Sequence, residues 1–157
     1  MTPLPPPSKP WDYGMLAARL AVGGILFSSG LYKAAGPVAE FAVIIDAYRI
    51  LPPGLVFPAA AVMSWTQLLV GAALLSGWLT RAAAVAAAGL MLAFIAALGS
   101  TVLRGIPLED CGCFGAGIHS TPLQTISLDS VLLILCLLLL WRGRSAAALD
   151  GWVQRGE

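Results

Sequence analysis

Four apolar runs, each close to the length of one bilayer crossing, constrain this chain more than any other feature. They cover residues 15–32, 58–75, 81–103 and Pro122–Arg142. The last spans 21 residues, or roughly 31 Å at 1.5 Å per residue, which matches a hydrocarbon core of about 30 Å. Composition points the same way. Of 157 residues, 59% are hydrophobic and 11% charged, where a soluble domain carries about 25% charged residues. The fold expected is all-α: a four-transmembrane-helix bundle. A net charge of +1 and the lack of a basic patch argue against a nucleic-acid partner.

The connections organise the rest. Residues 1–12 open with five prolines in the first ten and read as an extended, flexible leading segment. Residues 13–142 form the membrane domain and 143–157 a cytoplasmic tail. No small-x-small cleavage site follows the first apolar run, so it is read as an uncleaved span. Ala17, Ala21, Gly24 and Ser28 fall on one helix face, predicting close packing there. Arg19 is expected to snorkel to the interface. Between 37 and 50, Val38, Phe41, Ile45 and Tyr48 recur at helical spacing among Glu40, Asp46 and Arg49, which predicts a short interfacial amphipathic helix. Pro52-Pro53-Gly54 ends it, and the second span is expected from Pro58, a proline tolerable in a first turn. Gly77 and Trp78 mark a tight turn. Thr121 is expected to cap the fourth span ahead of Pro122.

Orientation follows from basic residues. Lys9, Arg19, Arg81, Arg142, Arg144 and Arg155 fall on the side of the termini, and Lys33, Arg49 and Arg104 on the other. The excess places both termini in the cytoplasm. The 104–120 loop then faces outward across a bacterial inner (cytoplasmic) membrane.

That loop holds the sharpest local feature, Glu109-Asp110-Cys111-Gly112-Cys113-Phe114-Gly115. Two thiols in an oxidising compartment are candidates for a disulfide. One intervening residue permits the bond only if the chain bends, and Gly112 allows that bend. A strained, exposed disulfide is easily reduced and tends to be catalytic or regulatory. The acidic pair opposes an unusually nucleophilic thiolate. Three readings of the loop stay open: a redox-active pair, a structural staple, and half of a metal site. The last falls short, because two thiolates and His119 make three ligands where structural zinc takes four; no metal is expected. Cys136, deep in the fourth span, reads as a small hydrophobe. Ser64, Gln67 and Gly71 share a face of the second span and read as interhelical glue. Asp129 is either an intramembrane carboxylate with a functional role or, if the helix starts at Ser127, a first-turn acid. Arg104 and Asp129 are the candidate cofactor-binding residues.

In these residues the chain resembles the DoxX-like superfamily of small four-helix membrane proteins, and within it the MauE-type methylamine-utilisation proteins. The resemblance covers roughly residues 13 to 142. It rests on Gly30 to Lys33, on Tyr48-Arg49-Ile50-Leu51-Pro52, and above all on Cys111-Gly112-Cys113-Phe114-Gly115. It implies a role in maturing a periplasmic protein together with a thioredoxin-like partner, and kinship to quinone or sulfur redox chemistry. The function expected is therefore thiol–disulfide electron transfer, with Cys111 and Cys113 catalytic and quinone the candidate acceptor. The alternatives are a non-enzymatic accessory subunit of a larger membrane complex, with a structural Cys111–Cys113 disulfide, and a quinone-reactive subunit of sulfur oxidation.

Overall fold

The computed structural model describes residues 10–106 and 121–142. Among them the chain forms five helices: α1 (Pro10–Ala35), α2 (Val38–Ala47), α3 (Pro53–Ser76), α4 (Thr80–Leu103) and α5 (Pro122–Arg142). Four of the described helices, α1, α3, α4 and α5, are long and apolar enough to cross a membrane. Their outward faces carry large apolar side chains such as Phe57, Trp65, Leu69 and Ile134. In water that surface would be untenable, and in lipid it is ordinary. The all-α expectation holds. The leading nine residues, the 107–120 loop and the 143–157 tail lie outside the described residues.

Local sequence explains most helix ends. Thr121 and Gln124 form a capping box at α5: the Gln124 N–H donates to Thr121 Oγ1 at 3.4 Å, and the Thr121 N–H donates to Gln124 Oε1 at 3.2 Å. The start at Pro122 is therefore set by the cap, and the alternative start at Ser127 is excluded. α3 ends on Gly77 at φ 71°, where Trp78 N–H reaches Ala73 O at 3.0 Å and Gly77 N–H reaches Leu74 O at 3.2 Å. α4 ends the same way on Gly105 at φ 65°. Only a residue without Cβ takes that left-handed conformation at little cost.

Three boundaries differ from expectation. α1 begins at Pro10 and so takes in residues 10–12. α3 begins at Pro53 and not at Pro58. Pro52 is the N-cap and Pro53 the first helical residue, where a missing N–H costs nothing. α2 itself stops earlier than expected, at Ala47 with Tyr48 as C-cap and Arg49 at φ 50°, so Pro52-Pro53-Gly54 starts α3 and does not end α2. Pro58 sits inside the helix and leaves only the early Gly54 carbonyl without its usual donor.

α2 fits its reading as an amphipathic helix. Phe41, Ile45 and Tyr48 are buried while Glu40 and Asp46 are exposed. It packs mainly on α3, and Arg104 pins its C-terminus to the end of α4. The Arg104 guanidinium donates to Tyr48 O at 2.6 Å and Arg49 O at 3.2 Å. A cation on the last carbonyls of a helix is favourable both as a donor and against the helix dipole.

The helices pack through stripes of heptad spacing. On α5 the buried positions are Thr125, Asp129, Leu132, Cys136 and Leu139. On α1 they include Arg19, Val22, Leu26, Ser29 and Lys33. The small-residue face expected to pack does not. Ala17, Ala21 and Ser28 are exposed, and a methyl added at Gly24 would meet nothing within 4 Å. Gly23 and Gly30, on the neighbouring face, make the close approach to α3. Arg19 departs from expectation as well: it is 2% exposed, enclosed by the bundle instead of snorkelling outward. One cause explains both corrections. A small apolar face loses little by meeting lipid, whereas a face carrying Arg19 and Lys33 must turn inward.

Candidate functional site

Five helices each bring a side chain to one place in the bundle. Lys33 stands two residues before the end of α1 and is 4% exposed. Its Nζ donates to Gln67 Oε1 on α3 at 2.9 Å. The ammonium lies 4.5 Å from the centroid of the Phe41 ring on α2 and 5.4 Å from that of Phe94 on α4. Those ring distances are in cation–π range, and each such contact contributes about 0.5–2 kcal/mol. Gln67 takes the ammonium on its carbonyl oxygen, since only that atom accepts.

Asp129 completes the group from α5. It is 4% exposed, and its Oδ2 meets no donor among the described residues. The Lys33 charge acts on this carboxyl. Asp129 and Gln67 also share a cavity of about 10 Å³, lined with Ser29, Phe94, Met91 and Leu132 among others. A volume of about 10–15 Å³ holds one water.

Of the two readings of Asp129, the first-turn acid falls away, because the residue is buried two turns into α5. Ser64, Gln67 and Gly71 are buried, as expected of interhelical glue. Cys136 is fully buried and reads as packing. Lys33 was used only as a topological charge and as one residue of a resemblance, and its place beside Gln67 and Asp129 was missed. The available signal was charge balance: a carboxylate in an apolar span calls for a cation, and Lys33 ends another span. Arg104, paired with Asp129 in the sequence reading, is exposed and bonded to Tyr48 O, Arg49 O and its own helix at Ser100. Cys111, Cys113, Glu109, Asp110 and His119 lie outside the described residues. Both ends of their loop are described: it leaves from the C-terminus of α4 and returns at the N-terminus of α5. With α4 and α5 as successive spans, those termini lie on the side that carries α2. Among the described residues no group of three or more His, Cys, Asp or Glu is placed to hold a metal ion.

Comparison with known proteins places this arrangement. A family profile described as "Methylamine utilisation protein MauE" matches residues 12–142. The chain is 33% identical over 123 residues to the methylamine utilization protein MauE of Paracoccus denitrificans, covering 78% of this chain and 66% of the relative. It is 39% identical over 74 residues to the protein of the same name from Methylophilus methylotrophus, covering 47% and 39% respectively. The chain thus spans just under two thirds of the first relative's length and well under half of the second's. No solved structure matches. With the matched segment running from the start of α1 to the end of α5, the chain belongs to the MauE family.

Proposed function

We propose that this chain supports maturation of a periplasmic protein of methylamine utilisation, by thiol–disulfide exchange at the outer face of the inner membrane. The observation that carries the reading is the position of Cys111-Gly112-Cys113 within the family-matched segment, between α4 and α5 on the side that carries α2. The names of both relatives support the pathway. Kinship to the wider DoxX-like superfamily belongs to the same proposal. Both termini are cytoplasmic in this reading, because basic residues concentrate on their side.

The exchange balances with a thioredoxin-like partner. A partner thiolate attacks one sulfur of the Cys111–Cys113 disulfide and forms a mixed disulfide. The partner's second thiolate resolves it. The partner leaves oxidised, and Cys111 and Cys113 hold the two electrons as a dithiol. Quinone was the expected acceptor for returning those electrons, with Arg104 and Asp129 to bind it. Asp129 is buried in the bundle beside a small cavity, and quinone stays the class of acceptor proposed to take those electrons. Arg104 is committed to the carbonyls of α2.

Trapping tests the proposal. In cells carrying Cys111→Ser or Cys113→Ser, one variant should hold a reductant-sensitive adduct with a thioredoxin-like protein. The double variant should abolish disulfide formation in the matured protein. Normal maturation with the double variant would establish the structural-staple reading of an accessory subunit instead. Orientation is tested separately: after mild reduction, an impermeant thiol reagent should label the loop in intact spheroplasts. Labelling only after lysis would reverse the topology.

A further inference from the structure

Asp129 lies seven residues into α5, roughly 10 Å along the helix from its start. An isolated carboxyl there is expensive in either protonation state. Ionised, it needs donors, and protonated, its hydroxyl needs an acceptor. Oδ2 has no donor among the described residues. The space it borders is not apolar throughout, because Gln67 and Ser29 also line it. With Gln67 Oε1 engaged by Lys33, the Gln67 amide N–H groups are the donors left on that side chain.

From this geometry we infer that the cavity is a proton-binding site inside the bundle. One water seats between Asp129 and Gln67, and through it Asp129 takes up and releases a single proton. A water suits the place because it donates to a carboxylate and accepts from a carboxylic acid, so both states are satisfied without rearrangement. The size admits one water. A divalent cation is the wrong occupant: Ca²⁺ or Mg²⁺ needs six or more oxygen ligands, and one carboxyl and one amide supply too few. Ile25, Leu26, Met91, Phe94 and Leu132 wall the rest.

The charges facing the site are few. α1 brings Lys33, whose charge acts on Asp129, and Arg19 nearer the opposite end. α3 has no ionisable residue, and α4 has only Arg81 in its first turn, with Arg104 capping its other end. On α5 itself Cys136 lies two turns further on. When the proton leaves, Asp129 balances Lys33. When it returns, Lys33 remains a buried cation held by Gln67 and the two phenylalanine rings. This site does not depend on the cysteine chemistry, and its test does not involve the cysteines.

The full chain in lipid nanodiscs is treated with dicyclohexylcarbodiimide, an apolar reagent for protonated carboxyls, across a pH series, and adducts are mapped by mass spectrometry. Asp129 should be modified at acid pH and protected as pH rises, along a one-proton curve. Lys33→Met removes the cation that Gln67 holds beside this site, and the pH profile of modification should move with it. Infrared titration of the unmodified wild type gives an independent readout. It should show one carboxylic-acid carbonyl band that titrates and is missing in Asp129→Asn. That measurement decides the matter if Lys33→Met does not fold. A wild type with neither an Asp129 adduct nor a titrating band overturns the inference. So does a folded Lys33→Met with an unchanged pH profile.

Discussion

The α1–α3 and α4–α5 seams bury stripes of the same spacing, yet they close by different means. Between α1 and α3 the backbones touch. A methyl on Gly30 would collide with the backbone of Leu68, and one on Gly71 with the backbone of Phe27. Gly23 is only slightly looser, at 3.0 Å from Leu74 Cβ. Between α4 and α5 no described glycine is in contact: methyls at Gly89 or Gly99 would meet nothing within 4 Å. Alanines 83, 84, 87 and 88 of α4 are buried instead, with Leu132, Cys136 and Leu139 on α5. In lipid the hydrophobic effect cannot hold helices together, so contact area and polar links do the holding. The first seam takes the closest contact available. The cavity beside Asp129 lies where the two seams face each other, with Ser29 of α1, Gln67 of α3 and Phe94 of α4 in its lining. The tight seam still carries a buried polar link, Lys33 to Gln67 across α1 and α3, so close backbone approach and polar bonding act together there, whereas the α4–α5 seam is closed by apolar side chains.

Four substitutions would break or sharpen this contrast. Gly71→Ala should have the largest effect, about 3 kcal/mol, the upper end of what overpacking costs, because the atoms met are backbone and cannot swing aside. Reversible unfolding in mixed micelles would measure it. A loss below about 0.5 kcal/mol would mean that the seam is looser than its geometry. Next comes Lys33→Met, at about 2 kcal/mol, from the stranded Gln67 carbonyl oxygen and the lost ring contacts. A double-mutant cycle with Gln67→Leu should recover about half of that loss, and strict additivity would show that the two side chains are not coupled. Arg104→Ala should cost about 1 kcal/mol, since its bonds to Tyr48 O and Arg49 O are at an exposed helix end. Faster hydrogen exchange at the α2 amides is the accompanying sign. The smallest change is expected at Gly24→Ala, which should stabilise by about 0.5–1 kcal/mol through helix propensity alone. Destabilisation there would restore the discarded small-residue face as a packing surface.

The spans, the amphipathic α2 and the capped start of α5 were legible because each depends on residues near one another in sequence. The capping box needs only Thr121 and Gln124, and the turn after α3 needs only Gly77. The inward face of α1 was harder, because two faces competed. The small-residue motif was the more familiar signal, but the energetic decision rested with Arg19 and Lys33. Around Asp129 the sequence left an intramembrane carboxylate and a first-turn acid both open, and pointed to Arg104 as its companion. Arg104 is near in sequence and basic, whereas Lys33 stands almost a hundred residues away in the chain.

What this sequence determined by itself was therefore length, apolarity and some local ends: four helices that need lipid, one short amphipathic helix, the turn after α3 and the capped start of α5. Those properties follow from short-range hydrogen bonding and from the cost of exposing or burying each side chain. Tertiary structure alone decided which glycines touch backbone, that Arg104 closes α2, and that Lys33 bonds Gln67 beside the cavity that Asp129 lines. Helix periodicity states which residues share a face but not which helix that face will meet. In lipid, every apolar face is nearly as well solvated by acyl chains as by another helix. The choice of partner then falls to the few positions where backbones can approach or charges must be matched, and their consequences are set only once all the helices are in place.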